Sequence, residues 1–157
     1  MAEVTISRAV DAPLEQVWAS WDDFGNIYKF NPNIASSRLL SDKDAATAVG
    51  SRRECEFNDG RNWVRERVTQ YEPRKLLALE LYEGSIPVST LDAKFEFRKL
   101  NEGTTEVSIT AAFEPKGGFL GKIMVPLMKR QFRQLLAALL DENAVYVEKG
   151  LLVQQAA

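Results

Sequence analysis

Apolar and polar residues alternate along most of this chain, and near residue 118 the alternation stops and a period of three to four residues takes over. That switch constrains the fold more than any other feature. Alternation puts successive side chains on opposite faces of a strand, whereas a three-to-four period lines one face of a helix. Glu3–Val10 reads as a first strand, with Val4, Ile6 and Val10 on one face. Gly50–Phe57, Asn62–Tyr71, Leu76–Tyr82, Leu91–Leu100 and Thr105–Phe113 read as further strands. Asp59-Gly60 between the first two of these is a strong hairpin signal. Between the first strand and the rest, Pro13 opens a short helix carrying Val17, Trp18 and Trp21, with Asp11 or a neighbour as its cap. A second short helical piece holds Ile27, Tyr28 and Phe30 and ends at Asn31-Pro32-Asn33. After Gly117-Gly118 a stripe runs from Leu120 through Met128, Phe132 and Leu136 to Leu140. This predicts a helix of about 30 residues, roughly 45 Å long, kinked or started by Pro126. Each strand has one apolar face, so the expected fold class is α+β, with a curved antiparallel sheet of about six to seven strands wrapped round the long helix.

Composition removes whole classes of chemistry. The chain has no histidine, which excludes histidine triads, histidine metal sites and histidine general bases. Cys55 is the only cysteine, so neither an internal disulfide nor a thiolate metal cage can form. A net charge of −2 and a pI near 5.3 argue against general nucleic-acid binding. No apolar run approaches the ~20 residues that cross a bilayer, and the N-terminus lacks the pattern of a secretion signal. The expectations are one domain over 1–150 with a tail over 151–157, a cytoplasmic location, and no metal or cofactor.

The ordered motifs of the chain resemble the START-like or SRPBCC superfamily, which includes polyketide cyclase/dehydrase-like and birch-pollen-allergen-like proteins of the helix-grip fold. The stretches that carry the resemblance are Ala12–Trp18, Asp23–Ile27 running to Asn31-Pro32, Gly50–Cys55 with Asp59-Gly60, Glu66-Arg67-Val68 before Tyr71-Glu72-Pro73, and Ala112–Pro115. Phe30 stands where several relatives have tryptophan. The resemblance implies a pocket between sheet and long helix. It does not imply one activity, because this scaffold serves binders, transporters and enzymes.

If Asp59-Gly60 is a two-residue turn, facing residues have numbers that sum to 119. Arg53 then opposes Glu66 and Cys55 opposes Val64, with Phe57 and Val68 on the same inward face. An inward ion pair reads either as a polar anchor for a ligand carboxylate or hydroxyl, or as a structural salt bridge. Phe24, Phe30, Phe95 and Phe113, with Leu79 of the leucine-rich strand, are the further candidates for the ligand wall. Met124 and Met128, one turn apart on the long helix, suit a ligand wall or an irregular core equally. The loops Glu83–Pro87 and Lys116–Phe119 are candidate gates, and Lys116, Lys122, Lys129, Arg130 and Arg133 suggest transient contact with an anionic membrane or simply a solvated face. The first functional reading is a module that binds or carries a small hydrophobic molecule: lipid, polyketide, isoprenoid or aromatic. A second is a cyclase/dehydratase-type enzyme using Glu66, Arg53 and Tyr82, although the parity of Tyr82 is outward. A third is a protein-interaction module whose groove is filled by its own side chains.

Overall fold

The computed structural model describes residues 1–44, 46–150 and 152. Seven strands form one antiparallel sheet: β1 (Ala2–Val10), β2 (Ile34–Leu39), β3 (Arg52–Phe57), β4 (Trp63–Glu72), β5 (Leu76–Gly84), β6 (Val88–Asn101) and β7 (Thr104–Pro115). Their order across the sheet is β1-β7-β6-β5-β4-β3-β2. The first two strands in sequence therefore lie at opposite edges, and the chain crosses between them through helix α1 (Leu14–Asp22) and a 3₁₀ segment (Phe24–Lys29). Two helices follow the sheet, α2 (Gly118–Ile123) and α3 (Val125–Lys149). The fold is α+β in the helix-grip arrangement.

Sheet curvature has local causes. The pairing shifts register between Arg65 and Glu66, between Val68 and Gln70, and again near Val88 and Lys99. Each irregularity inserts a bend and adds twist, so the sheet curls toward its apolar face. The helix α3 lies closest to β1 and β7. The ring-rich face of α1 fills the space further along: Trp18 packs on Phe97 at 5.1 Å and Trp21 on Phe95 at 4.9 Å between ring centres. Buried Asn143 ties the two helices together. It accepts from Trp21 Nε1 at 3.2 Å and donates to Ser20 Oγ at 2.9 Å.

Four local expectations are corrected. Asp11 does not cap α1; Pro13 precedes the first helical residue without a side-chain cap, and the Asp11 amide donates instead to Glu148 Oε2 at 2.9 Å. The strand expected from Gly50 starts at Arg52, because Gly50 turns the chain with φ +94°. The Asp59-Gly60 turn widens to a four-residue loop: Phe57 N–H donates to Asn62 O at 2.9 Å, and Asp59 Oδ1 accepts from the amides of Arg61 and Asn62. The widening is symmetric, so the inferred register survives. The helix of about 30 residues is divided at Met124 into α2 and α3, while α3 begins beside Pro126 as the sequence allowed, where the missing N–H is harmless. Except for Leu152, the tail expected over 151–157 lies outside the described residues.

Candidate functional site

Facing pairs on β3 and β4 build the polar end of the site. Arg53 stands opposite Glu66 and Cys55 opposite Val64. Arg53 Nε donates to Glu66 Oε2 at 2.6 Å, with side chains 5 % and 20 % exposed. Its Nη1 donates to the Phe24 carbonyl at 3.0 Å, and the guanidinium carbon sits 4.1 Å from the centre of the Phe24 ring. A cation over an aromatic face gains electrostatic attraction that helps replace lost hydration. The Cys55 thiol lies 3.9 Å from the same Glu66 oxygen. Burial, opposed by the nearby Arg53 charge, pushes that thiol up to about 12, so it is a neutral weak donor here rather than a nucleophile. Among the described residues, Glu66 Oε1 makes no hydrogen bond.

Above this polar end lies a cavity of about 130 Å³ between sheet and helix. Arg53, Cys55, Phe57, Val64 and Glu66 wall it from β3 and β4, Ala93 and Phe95 from β6, and Ala111 from β7. Phe132, Leu135, Leu136 and Leu139 of α3 close the top. Ala93 and Ala111 are direct cross-strand partners. Two alanines facing each other, flanked by Leu91, Phe95, Ile109 and Phe113, leave unfilled the volume that larger neighbours would occupy. Leu135 lines the cavity yet is 39 % exposed, so the space opens to the outside along α3. Asn31 and Asn33 lie on the lining too, and Asn33 Nδ2 donates to the Leu135 carbonyl at 3.5 Å.

Arg53, Phe57, Glu66 and Phe95 are thus brought together as the sequence suggested. The other expected wall residues lie elsewhere. Phe24 lies beneath Arg53, not on the lining. Phe30 is packed between Trp21 at 5.0 Å and Tyr146 at 5.5 Å. Leu79 is filled in by the main core, while Phe113 stacks on Phe132 at 4.6 Å in a second cluster with Val88 and Met128. Met124 is exposed, since α3 begins only beyond it. Tyr82 lies over Arg67 at 4.9 Å, and Arg67 in turn pairs with Glu80, well away from the lining residues. The Glu83–Pro87 loop is pinned by Ser85, whose Oγ accepts from the Trp63 amide at 2.9 Å, which speaks against a free gate. The residues missed were mostly small or on the last helix. The pair of alanines within runs of large inward residues was the readable signal.

A more open depression of about 360 Å³ adjoins the β3–β4 hairpin, lined by Glu54, Glu56, Arg61, Trp63 and Arg65. Two of its charges are already committed to each other: the hydrogen bond from Arg65 holds the Glu54 carboxyl below the usual carboxylate range, and Arg38 adds to it. The mainly apolar space between sheet and helix, with a carboxylate oxygen uncommitted among the described residues, is the better candidate site.

Residues 1–148 match the family described as polyketide cyclase / dehydrase and lipid transport. The chain belongs to this family. Solved structures agree at the level of fold. A START superfamily protein from Mycobacterium smegmatis superposes with a TM-score of 0.78 at 18 % identity, covering 94 % of this chain and 97 % of that one. TTHA0849 from Thermus thermophilus gives a TM-score of 0.77 at 17 % identity, with coverages of 95 % and 99 %. The Zhui aromatase/cyclase from Streptomyces sp. R1128 gives 0.72 at 16 % identity, with coverages of 97 % and 99 %. Among curated proteins no significant match is found. Membership in the family supports ligand binding or cyclase activity in general terms.

Proposed function

We propose that this polyketide cyclase/dehydrase-family protein binds a small hydrophobic molecule carrying one hydroxyl, with its apolar body in the sheet–helix cavity and its hydroxyl on Glu66. The observation that carries this reading is the divided role of that carboxylate. One oxygen is held by Arg53, and the other is uncommitted among the described residues, at the wall of a mainly apolar space. A ligand hydroxyl donating to a charged acceptor gains a strong hydrogen bond in a low-dielectric site. Volume limits the ligand. At about 130 Å³ the cavity is close to the ~150 Å³ that takes up a benzene-sized molecule and well below the several hundred Å³ of drug-sized sites. A single ring or short branched chain matches it; a longer polyketide or acyl chain must leave past Leu135.

The test is native mass spectrometry of the purified protein, then extraction of any bound molecule and titration with a one-ring phenol. One-to-one uptake that weakens about tenfold in Glu66→Gln supports the reading, because the substitution exchanges a charged acceptor for a neutral one. Uptake of phenol and toluene with equal affinity overturns the anchoring role. The absence of saturable uptake overturns the cavity as a site.

Fold likeness to the Zhui aromatase/cyclase supports a second reading, a cyclase-type enzyme in which the cavity folds a flexible substrate and Glu66 moves a proton. Turnover of a poly-β-ketone surrogate, abolished by Glu66→Gln with binding retained, distinguishes it from the carrier reading.

A further inference from the structure

The apolar stripe of the C-terminal region does not stop where the sheet stops covering it. From the cavity wall it continues toward the N-terminus through Leu127 and Met124, and then onto α2, where Phe119, Leu120 and Ile123 are 78 %, 74 % and 60 % exposed. The backbone forces this display. A Cβ on Gly121 would come within 2.1 Å of the Lys116 carbonyl oxygen, so α2 is pressed against the preceding chain on its glycine side. At 100° per residue, Phe119 and Ile123 fall together on the opposite side. Side chains of this size exposed side by side mark a surface with an occupant.

Charge identifies the occupant. Residues 115–140 hold five of the chain's 20 basic residues, Lys116, Lys122, Lys129, Arg130 and Arg133, and none of its 22 acidic ones. In an acidic protein this is a strongly polarised end. A second copy of the chain would bring the same cations to a two-fold contact, where they repel. We propose that α2 and the first turns of α3 dock on an anionic lipid bilayer, with Phe119, Leu120 and Ile123 entering the interface and the basic residues meeting lipid phosphates. Because α3 carries both this exposed end and, at Leu135, the mouth of the cavity, the docked membrane is the source or destination of the cavity's ligand; that extension rests on the proposed function, whereas the docking itself does not.

Flotation of the full-length protein with vesicles tests the docking. Partition onto phosphatidylcholine vesicles containing about one-third phosphatidylglycerol should exceed partition onto phosphatidylcholine alone by about tenfold or more and fall with added salt. Phe119→Ser with Leu120→Ser should lose it without lowering the melting temperature, since both side chains are exposed. Lys122→Glu with Arg130→Glu should lose the preference for anionic vesicles. Ala93→Phe, which fills the cavity, should dock as before while rejecting the phenol, so failure of docking and failure of the cavity reading are told apart. Equal partition onto both vesicles, or binding retained by the double serine variant, overturns the proposal. So does a concentration-dependent dimer that forms in place of vesicle binding and is abolished by the serines.

Discussion

Arg53 shows how a charged residue can sit in a core. Its Nε, its Nη1 and the face of its guanidinium all have partners, so removing one partner exposes the cost of the rest. Glu66→Leu should destabilise by about 3 kcal/mol, because it leaves a cation that is almost fully buried without its counter-charge. Arg53→Met should cost less, about 1–2 kcal/mol, since Glu66 retains access to water. The double variant should be more stable than the two losses combined imply, and urea unfolding of the four proteins measures the coupling. Cys55 and Tyr71 carry the alkaline response. Burial raises the thiol from 9.0 to about 12; burial, then the hydrogen bond to Asp22, raises the phenol from 10.0 to about 12. In both the folded state favours the protonated form, so their contribution is complete below pH 9 and is lost as pH rises toward 12. The melting temperature should therefore fall across that window, with a shallower fall in Cys55→Ala from pH 9 and in Tyr71→Phe from pH 10. Thermal melts at stepped pH provide the check.

At the scale of elements, α1 and α3 meet through one polar residue. Asn143→Leu would keep the branched shape but leave the Trp21 indole N–H without an acceptor and the Ser20 hydroxyl oxygen without its donor, and should cost about 2–3 kcal/mol by urea unfolding. The hairpin between β3 and β4 shows which element-scale inferences are robust. The expected two-residue turn became a wider loop held by Asp59, whose carboxyl the amides of Asn62 and Arg61 keep below its ordinary range. The pairing Arg53–Glu66 was nevertheless legible, because a loop that grows equally on both sides preserves register. Where α3 begins was legible as well, since Pro126 fixes its own φ and lacks an N–H. That α2 would stand apart from the sheet was not, because the same apolar period describes a helix that is covered and one that is not.

Across the whole molecule, the cavity is a shortfall of packing between a curled sheet and a straight helix. Filling it should therefore stabilise the protein while abolishing the proposed ligand uptake. Ala93→Phe is expected to abolish uptake of the phenol and to raise the melting temperature if the ring packs without strain; calorimetry with and without phenol measures both. For the wild type, phenol at about a hundredfold excess over its Kd should add about 2.7 kcal/mol of stability, and this increment should vanish in the filled variant.

Periodicity and turn chemistry, which are properties of neighbouring residues, already determined six of the seven strands, the α+β class and the register of the Arg53–Glu66 hairpin, but not the edge strand β2. The identity of the wall could not be reached in that way. Inward parity assigned Phe113 to the same apolar face as Phe57 and Phe95, and only the path of α3 decided that Phe113 meets the ring of Phe132 while Phe57 and Phe95 border the cavity. Alternation specifies which face of a strand is apolar; it contains no term for the distance to the layer opposite. That distance depends on the bulges that curl the sheet and on the point at which the helix begins, and these set both the cavity and the exposed apolar end of α2.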